Sequence, residues 1–399
     1  MSKTPEGNGG GAPVVKPPAY RDPRVRAIAF QVLTVLVLVW FFWMIFQNTL
    51  HNMESRGITT GFGFLDRPAG FGILMSLIPY DETMSYGRTF FVGLLNTLLV
   101  SILGIILATI LGFLLGIARL SKNWLIAKIA LVYVETLRNI PLLLQIFFWY
   151  IAVLRSLPSP KQSLNMGTAA FLNNRGLYVP APVTESGFGV VLLVLAAAIV
   201  GVWYMARWAK ARQMATGQPF PTFWVGLGII IGAPLLTFLV LGAPMSLDYP
   251  ALKGFNFVGG TRIIPELMAL LTALTMYTAT FIAEIVRSGI QSVSHGQTEA
   301  ANSLGLKTGT TLRLIIIPQA MRVIIPPLTS QYLNLTKNSS LATAIGYPDL
   351  VSVFMGTTLN QTGQAVEIVA MTMAVYLVIS LVISALMNWY NTSMALKER

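Results

Sequence analysis

The chain has 399 residues, of which 54% are hydrophobic and only 11% are charged, and its formal net charge is +12. Soluble domains usually carry about 25% charged residues, so this composition excludes an ordinary soluble protein and indicates a membrane protein. The sequence has no cysteine and two histidines, which excludes disulfides, thiolate metal sites and a Cys nucleophile and argues against a His-rich metal site.

Eight apolar segments are long enough to cross a bilayer, for which about 20 helical residues suffice. They are predicted to be helices because backbone polar groups in lipid must be satisfied within the segment, and their apolar runs are continuous rather than alternating as in membrane barrels. The predicted spans cover approximately residues 27–48, 89–117, 129–154, 190–206, 223–241, 263–286, 314–346 and 366–390. Pro141 lies within the third, and Pro318, Pro326 and Pro327 interrupt the seventh. The predicted fold class is therefore an all-α integral membrane protein.

The basic residues stand at the ends of the apolar segments rather than in one patch, which argues against nucleic-acid binding. If the N-terminus is cytoplasmic, 17 Lys and Arg lie on the cytoplasmic side and 8 on the opposite side, with Arg138 and Lys337 inside spans. This bias predicts that both termini are cytoplasmic. Residues 1–26, rich in Gly and Pro, are predicted to be a disordered cytoplasmic tail, residues 27–50 an N-terminal membrane helix, and residues 51–87 an outer loop.

A short polar segment, residues 294–310, lies between the sixth and seventh spans on the predicted cytoplasmic side. Ser294 and Gln297 have the spacing of a capping box, and Glu299 is expected in about the first turn of a helix, where a carboxylate favours the helix dipole. The two alanines after Glu299 keep one face small, so that another protein can approach closely. Gly305 is expected to end the helix in the left-handed conformation. On composition alone, an ordinary surface helix between two spans is the simpler interpretation.

This segment resembles the coupling loop of the membrane subunits of bacterial ATP-driven importers. The resemblance extends to the polar amino-acid branch of these permeases through further motifs. They are Gly93-Leu94-Leu95-Asn96-Thr97-Leu98, Val134-Glu135-Thr136-Leu137-Arg138-Asn139-Ile140-Pro141, Ala283-Glu284-Ile285-Val286-Arg287-Ser288-Gly289 and Leu335-Thr336-Lys337-Asn338-Ser339-Ser340. Together they cover roughly residues 87–396 without 158–261, and they are specific only in combination.

The resemblance implies a type I importer permease domain over residues 88–396, with an insertion at 158–261 that carries two extra helices. This extended layout is similar to the larger permease subunit of general L-amino acid transport systems. The implied partners are ATP-binding cassette ATPase subunits, a second permease subunit that is a paralogue, and a periplasmic amino-acid-binding protein, all at a bacterial inner membrane. The implied ATPase-coupling residues are Gln297, Glu299, Ala300, Ala301, Gly305 and Pro318.

Polar groups inside a membrane are costly and mark candidate solute pathways. The candidates for a polar path are Asn96, Glu135, Arg138, Glu284, Asn334, Lys337 and Asn338. The pairs Glu135–Arg138 and Glu284–Arg287, spaced i, i+3, are more simply ion pairs within their own helices. The amides can equally bridge helices. Gly112 and Gly116 predict close helix packing inside the subunit.

Three functional classes follow from these features. The first is the importer permease, which binds no cofactor and is not an enzyme, because no Walker A pattern is present and ATP is therefore used by a separate subunit. The alternative is an ion- or proton-coupled carrier of polar solutes, with Glu284 and Lys337 as its coupling groups. The third is a membrane scaffold without transport. Uptake in vesicles separates them, since only the first needs ATP and added partners.

Overall fold

The computed structural model describes residues 23–55, 57, 60–167 and 169–393. Residues 1–22 of the tail predicted over residues 1–26 lie outside the described residues. The first helix already begins at Pro23. The α-helices are α1 Pro23–Ser55, α2 Tyr86–Arg119, α3 Trp124–Arg138, α4 Leu142–Phe147, α5 Phe188–Thr216, α6 Thr222–Val240, α7 Pro265–Gln291, α8 His295–Ser303, α9 Thr308–Thr311, α10 Ile317–Asn338, α11 Leu359–Thr362 and α12 Ala365–Ser393.

Seven unbroken helical segments within the described ranges are long and apolar enough to cross a membrane, and a bent pair makes up to eight. This agrees with the eight predicted spans. Most of the helices extend beyond the predicted limits because their ends continue into polar residues. α1, for example, runs to Ser55 and therefore includes the first residues of the predicted outer loop.

The core is formed where α7 packs against α2, α3 and α10. The close α2–α7 contact depends on small residues of α2. A Cβ added to Gly112 would lie 2.6 Å from Cβ of Ile282, and one added to Gly116 would lie 2.8 Å from Cβ of Val286. The prediction that these two glycines serve packing within the subunit is therefore confirmed.

The third predicted span is not a straight helix. α3 and the segment from Leu142 to Leu154, in which α4 continues as a π-helix, meet at an angle of 103°. Pro141 stands at this break, where it removes a backbone donor and disfavours the helical conformation of the residue before it. The side chain of Gln145 stabilises the bend, since its Nε2 donates to the carbonyls of Leu137 (2.8 Å) and Ile140 (3.0 Å).

The predicted interruption of the seventh span at Pro326 and Pro327 is wrong, since α10 passes through both residues. The irregular backbone lies instead at the two ends. A π-helix, Leu312–Ile316, leads into α10 at Pro318, and a 3₁₀-helix, Ser339–Ile345, follows it. A further π-helix, Val351–Thr358, and α11 lie between the last two spans, and this π-helix packs against α2.

Short strands form small sheets in the segments on either side of the α5–α6 hairpin, which the sequence analysis did not predict. The strands are β1 Leu164–Met166, β2 Ala170–Asn173, β3 Gly176–Val179, β4 Ala181–Thr184, β5 Met245–Asp248, β6 Ala251–Lys253, β7 Asn256–Val258 and β8 Thr261–Ile263. β1, β2, β3 and β8 form one antiparallel sheet, β4 pairs with β5, and β6 pairs with β7. β8 is followed almost directly by α7, so this outer sheet is attached to the central helix.

The added helices lie at the periphery. α5 and α6 pack chiefly on each other, and most of their large apolar side chains are exposed. α1 likewise exposes an apolar surface along nearly its whole length. Such surfaces are stable in lipid, where helices need not bury apolar side chains against protein.

Candidate functional site

The predicted coupling loop forms a separate helix, α8, between the C-terminal end of α7 and the N-terminal end of α10. Its cap differs from the predicted capping box, because the Ser294 side chain makes no capping hydrogen bond. Gln297 is instead engaged across the loop, since Gln319 Nε2 donates to Gln297 Oε1 at 3.3 Å. α8 also packs on the π-helix Leu312–Ile316. These contacts attach α8 to the start of α10 near Pro318.

Glu299 is the fifth residue of α8, beyond the first turn in which it was expected. Its side chain is 69% exposed, and its Oε1 lies 3.0 Å from Nδ1 of His295, which is 85% exposed. Both groups are on the same exposed side of the helix and can reach a soluble partner.

The two alanines have different environments. Ala300 is exposed, whereas Ala301 is only 1% exposed and packs against the protein's own core. The expectation that both alanines present a small face to a partner is therefore wrong for Ala301. Leu304, which the sequence analysis did not select, is 78% exposed. The sequence signal that could have identified Leu304 is the presence of an apolar residue at the end of an otherwise polar helix.

Gly305 ends α8 as predicted, with φ of +70°. The N–H of Leu306 donates to the carbonyl of Ala301 (3.1 Å), and the N–H of Gly305 donates to that of Asn302 (2.9 Å). These two bonds define a Schellman motif, which satisfies the last carbonyls of the helix. The motif fixes the position of Leu304, the residue immediately before the glycine.

Glu284 forms an ion network rather than an isolated pair. It pairs with Arg287 on its own helix, as predicted, and with Arg119 at the end of α2, which was not predicted. The three side chains are 31%, 27% and 12% exposed, respectively. The network joins α2 to α7 close to the start of α8, so Glu284 is held by two cations.

Glu135 and Arg138 form the weaker pair, with Oε1 and Nη1 3.9 Å apart and side chains 50% and 36% exposed. The Arg138 guanidinium also lies over the Phe281 ring, 5.8 Å from its centroid. This arrangement connects the end of α3 with α7. It fits the structural interpretation of the pair better than solute contact.

Asn96 is fully buried in α2. Its Nδ2 donates to the carbonyls of Met75 and Pro348, both at 2.9 Å, while the backbone carbonyl of Asn96 accepts from the Tyr347 hydroxyl at 3.1 Å. The side chain therefore joins α2 to the outer loop and to the turn after α10. Of the two interpretations of this amide, helix bridging is the one that these contacts support.

Asn334 and Lys337 are exposed near the C-terminal end of α10, and Asn338 is half-buried. Lys337 lies at a recess of about 480 Å³ that is lined otherwise by residues of α12 and of the segments following α10. The lining residues are Lys337, Ser340, Val351, Met355, Thr372, Met373 and Tyr376. Among the described residues, Lys337 forms no ion pair. Glu284, Glu135 and Asn96 do not line this recess, so the predicted path residues do not form one cluster.

The described residues contain no group of three or more His, Cys, Asp or Glu side chains that could hold a metal ion. The arrangement is thus that of a polytopic protein with a helical core, an exposed helix at one end and a mostly apolar recess with one cation.

The chain belongs to the inner-membrane permeases of binding-protein-dependent transport systems. Residues 212–396 match the family described as "Binding-protein-dependent transport system inner membrane component". The chain is 57% identical to the putative amino-acid ABC transporter permease protein YhdX of Escherichia coli, over 96% of this chain and 97% of that protein.

Two further relatives align over nearly the full length. The general L-amino acid transport system permease protein AapQ of Rhizobium johnstonii is 54% identical, over 96% of this chain and 95% of that protein. The glutamate/glutamine/aspartate/asparagine transport system permease protein BztB of Rhodobacter capsulatus is 46% identical, over 95% and 96%. These alignments cover nearly the whole length of this chain and of each relative. A solved structure described as an amino acid ABC transporter with histidines is 20% identical, with a TM-score of 0.46, over 77% of this chain and 95% of that one.

Proposed function

We propose that this chain is the membrane-spanning permease subunit of an importer that moves L-amino acids across the bacterial inner membrane. A soluble binding protein delivers the amino acid from outside, and separate ATPase subunits supply the energy from the cytoplasm. The observation that carries this proposal is α8, a capped polar helix that exposes Glu299, Ala300 and Leu304 between the inner ends of two core helices. Full-length relatives named as amino-acid ABC transporter permeases support the substrate class.

α8 is the proposed docking site of the ATPase. The exposed carboxylate of Glu299 offers hydrogen-bond acceptors, and the exposed Leu304 offers an apolar contact at the C-terminal end of the helix. Gln297 and Pro318 act differently in this proposal, since they lie where α8 is attached to α10. Movement of the docked ATPase is thereby passed to α10, which carries Lys337 at its other end.

The recess around Lys337 is the proposed solute-facing part of this subunit. A cation there complements the carboxylate that every amino acid carries, and a second permease subunit, proposed to be a paralogue, would close the path. Asn334 and Asn338, one turn before and one residue after Lys337, are the proposed polar neighbours.

The alternative of an ion-coupled carrier has less support. A coupling carboxylate must exchange its proton or ion during transport, but Glu284 is paired with Arg119 and Arg287.

Reconstituted vesicles test the proposal. Vesicles with the permease, its paralogue, the ATPase and the binding protein should accumulate labelled L-amino acids only when ATP is supplied. Omission of the ATPase or of the binding protein should abolish uptake. Uptake by the permease alone under an ion gradient would refute the proposal in favour of the carrier, and absence of uptake under all conditions would favour a scaffold.

A direct test of the docking site uses Leu304→Gln. Because Leu304 is exposed, this change leaves the core intact, and co-purification of the ATPase should fall while membrane insertion is unchanged. Leu252, an exposed leucine of β6 outside the membrane spans, provides the control Leu252→Gln. Equal ATPase recovery with Leu304→Gln and the unmodified chain would show that α8 is not the docking site.

A further inference from the structure

The α5–α6 hairpin has no role in the proposed docking or transport sites, yet its inner end is chemically distinctive. We infer that this end is a binding site for the headgroup of an anionic phospholipid. Here the site is called the basic aromatic end and comprises Trp203, Arg207, Trp208, Lys210 and Arg212 of α5, with the aromatic residues at the start of α6. It lies in the insertion, away from the core helices.

The charge of this region is of one sign. Arg207, Lys210 and Arg212 are the only charged residues between Glu185 and Asp248, and those two acidic residues lie beyond the opposite end of the hairpin. In the described part of the chain, none of the three basic residues forms an ion pair. Their charges are therefore not neutralised by this chain, and an anion is the complementary ligand.

The two arginines are held by aromatic rings. The Arg207 guanidinium lies 4.0 Å from the centroid of the Trp203 ring, and that of Arg212 lies 5.5 Å from the Trp208 ring. The Trp208 ring in turn contacts Phe220 edge-on, with centroids 5.5 Å apart. A guanidinium stacked on a ring keeps its in-plane N–H donors available, and these match the oxygens of a phosphate.

The packing of α5 on α6 defines how deep these residues lie relative to the bilayer. A Cβ added to Gly226 of α6 would lie 2.9 Å from Cγ1 of Val202, so these two residues are at one level. α6 begins at Thr222, four residues before Gly226, which corresponds to about 6 Å. Because the helices are antiparallel, the level of Thr222 on α5 is close to residue 206.

Arg207, Lys210 and Arg212 thus lie about 1.5, 6 and 9 Å beyond the start of α6 along the helix axis. The 19 residues of α6 span about 28 Å, close to the hydrocarbon thickness of about 30 Å, and the headgroup layer on each side adds about 5–8 Å. The three cations consequently lie within or beside the headgroup layer. The exposed rings of Phe223 and Trp224, 70% and 71% exposed, lie at the same boundary, where aromatic side chains are favoured.

The combination of cations and exposed aromatic rings favours a lipid over a protein partner. The guanidinium N–H groups can donate to a phosphate, and the exposed rings of Phe223 and Trp224 can contact acyl chains. A lipid with an anionic headgroup satisfies both surfaces at once, whereas a zwitterionic headgroup carries no net charge to complement the cations. The inference does not depend on the proposed function or on the orientation of the chain.

Native mass spectrometry of the full chain tests this site. The protein is purified in mild detergent and titrated with phosphatidylglycerol or phosphatidylcholine of the same acyl chains. Since each basic residue at a membrane surface contributes about a factor of five to anionic-lipid binding, Arg207→Gln with Arg212→Gln should weaken phosphatidylglycerol binding by about 10- to 30-fold. Phosphatidylcholine binding should not change.

The matched control is Lys122→Gln with Lys128→Gln, which removes the same charge from an exposed residue of the α2–α3 connection and an exposed residue near the start of α3. This control variant should retain the most tightly bound phosphatidylglycerol molecule. A second variant, Arg207→Lys with Arg212→Lys, keeps the charge but loses the stacked guanidinium, and should give intermediate binding. Equal losses in the control and in the glutamine variant, or equal binding of the two lipids, would overturn the inference. Displacement of the lipid when the second permease binds would also overturn it, because the end would then be a protein interface.

Discussion

Gly305 offers a sharp test of the coupling helix. Its φ of +70° lies in the left-handed region, which a β-branched residue adopts only with strain of about 1–3 kcal/mol. A Cβ added at this position meets no atom within 4 Å, so Gly305→Val introduces no steric clash with the rest of the protein. The whole effect of the substitution therefore acts on the backbone of the cap.

Strain of this size lowers the population of the capped conformation by about 5- to 150-fold relative to the alternatives. We expect ATPase co-purification and ATP-driven uptake to fall within this range, while membrane insertion is unchanged. The controls are Gly305→Asn, since asparagine tolerates the left-handed conformation, and Gly309→Val. Gly309 is a nearby glycine with equally open surroundings but no positive φ.

The assay compares ATPase bound per permease and labelled amino-acid uptake for the three variants in vesicles. Gly305→Asn and Gly309→Val should remain within about twofold of the unmodified chain, because they add side chains without a comparable backbone cost. Normal uptake by Gly305→Val would refute the reasoning, as would equal loss in all three variants.

Three further predictions concern other parts of the molecule. Glu284→Gln leaves two arginines without their shared carboxylate and should lower the free energy of unfolding by about 1–2 kcal/mol, measured by a thermal scan in detergent. Glu135→Gln, at a more exposed and longer ion pair, should have little effect. Equal shifts of the two variants would contradict the ion network. Lys337→Met should reduce uptake of acidic amino acids more than that of basic ones, and an equal loss for all substrates would indicate a structural role. Reporter fusions at Ser2 and Arg399 should both give a cytoplasmic signal, and a periplasmic signal at either end would mean that a span was miscounted.

The membrane spans could be predicted because each consists of a long continuous apolar run, a local property that lipid selects directly. The left-handed cap at Gly305 was predictable for a similar reason, since it depends on residue type and a few neighbours. In contrast, Pro141 indicated where the third span is broken but not its angle of 103°. That angle depends on how α4 packs against α7, which no local pattern encodes.

The features that sequence reasoning missed depend on contacts between distant segments. Arg119 and Glu284 are 165 positions apart in the chain and meet only because small residues bring α2 against α7. The burial of Ala301 has the same origin, since it results from the packing of α8 on the segment before α10. The outer strands were missed because strands of three or four residues contain too little alternation to be recognised.

α7 connects the small sheet of β1, β2, β3 and β8 to α8. One residue separates it from β8, the edge strand of that sheet, and three residues separate it from α8. Its 27 residues are about 40 Å long, and proline occurs only at its first position. Such a helix has no internal break that would let its two ends move independently, and it packs against α2, α3 and α10. A displacement of the sheet relative to α8 therefore has to occur in the short connections at the two ends of α7.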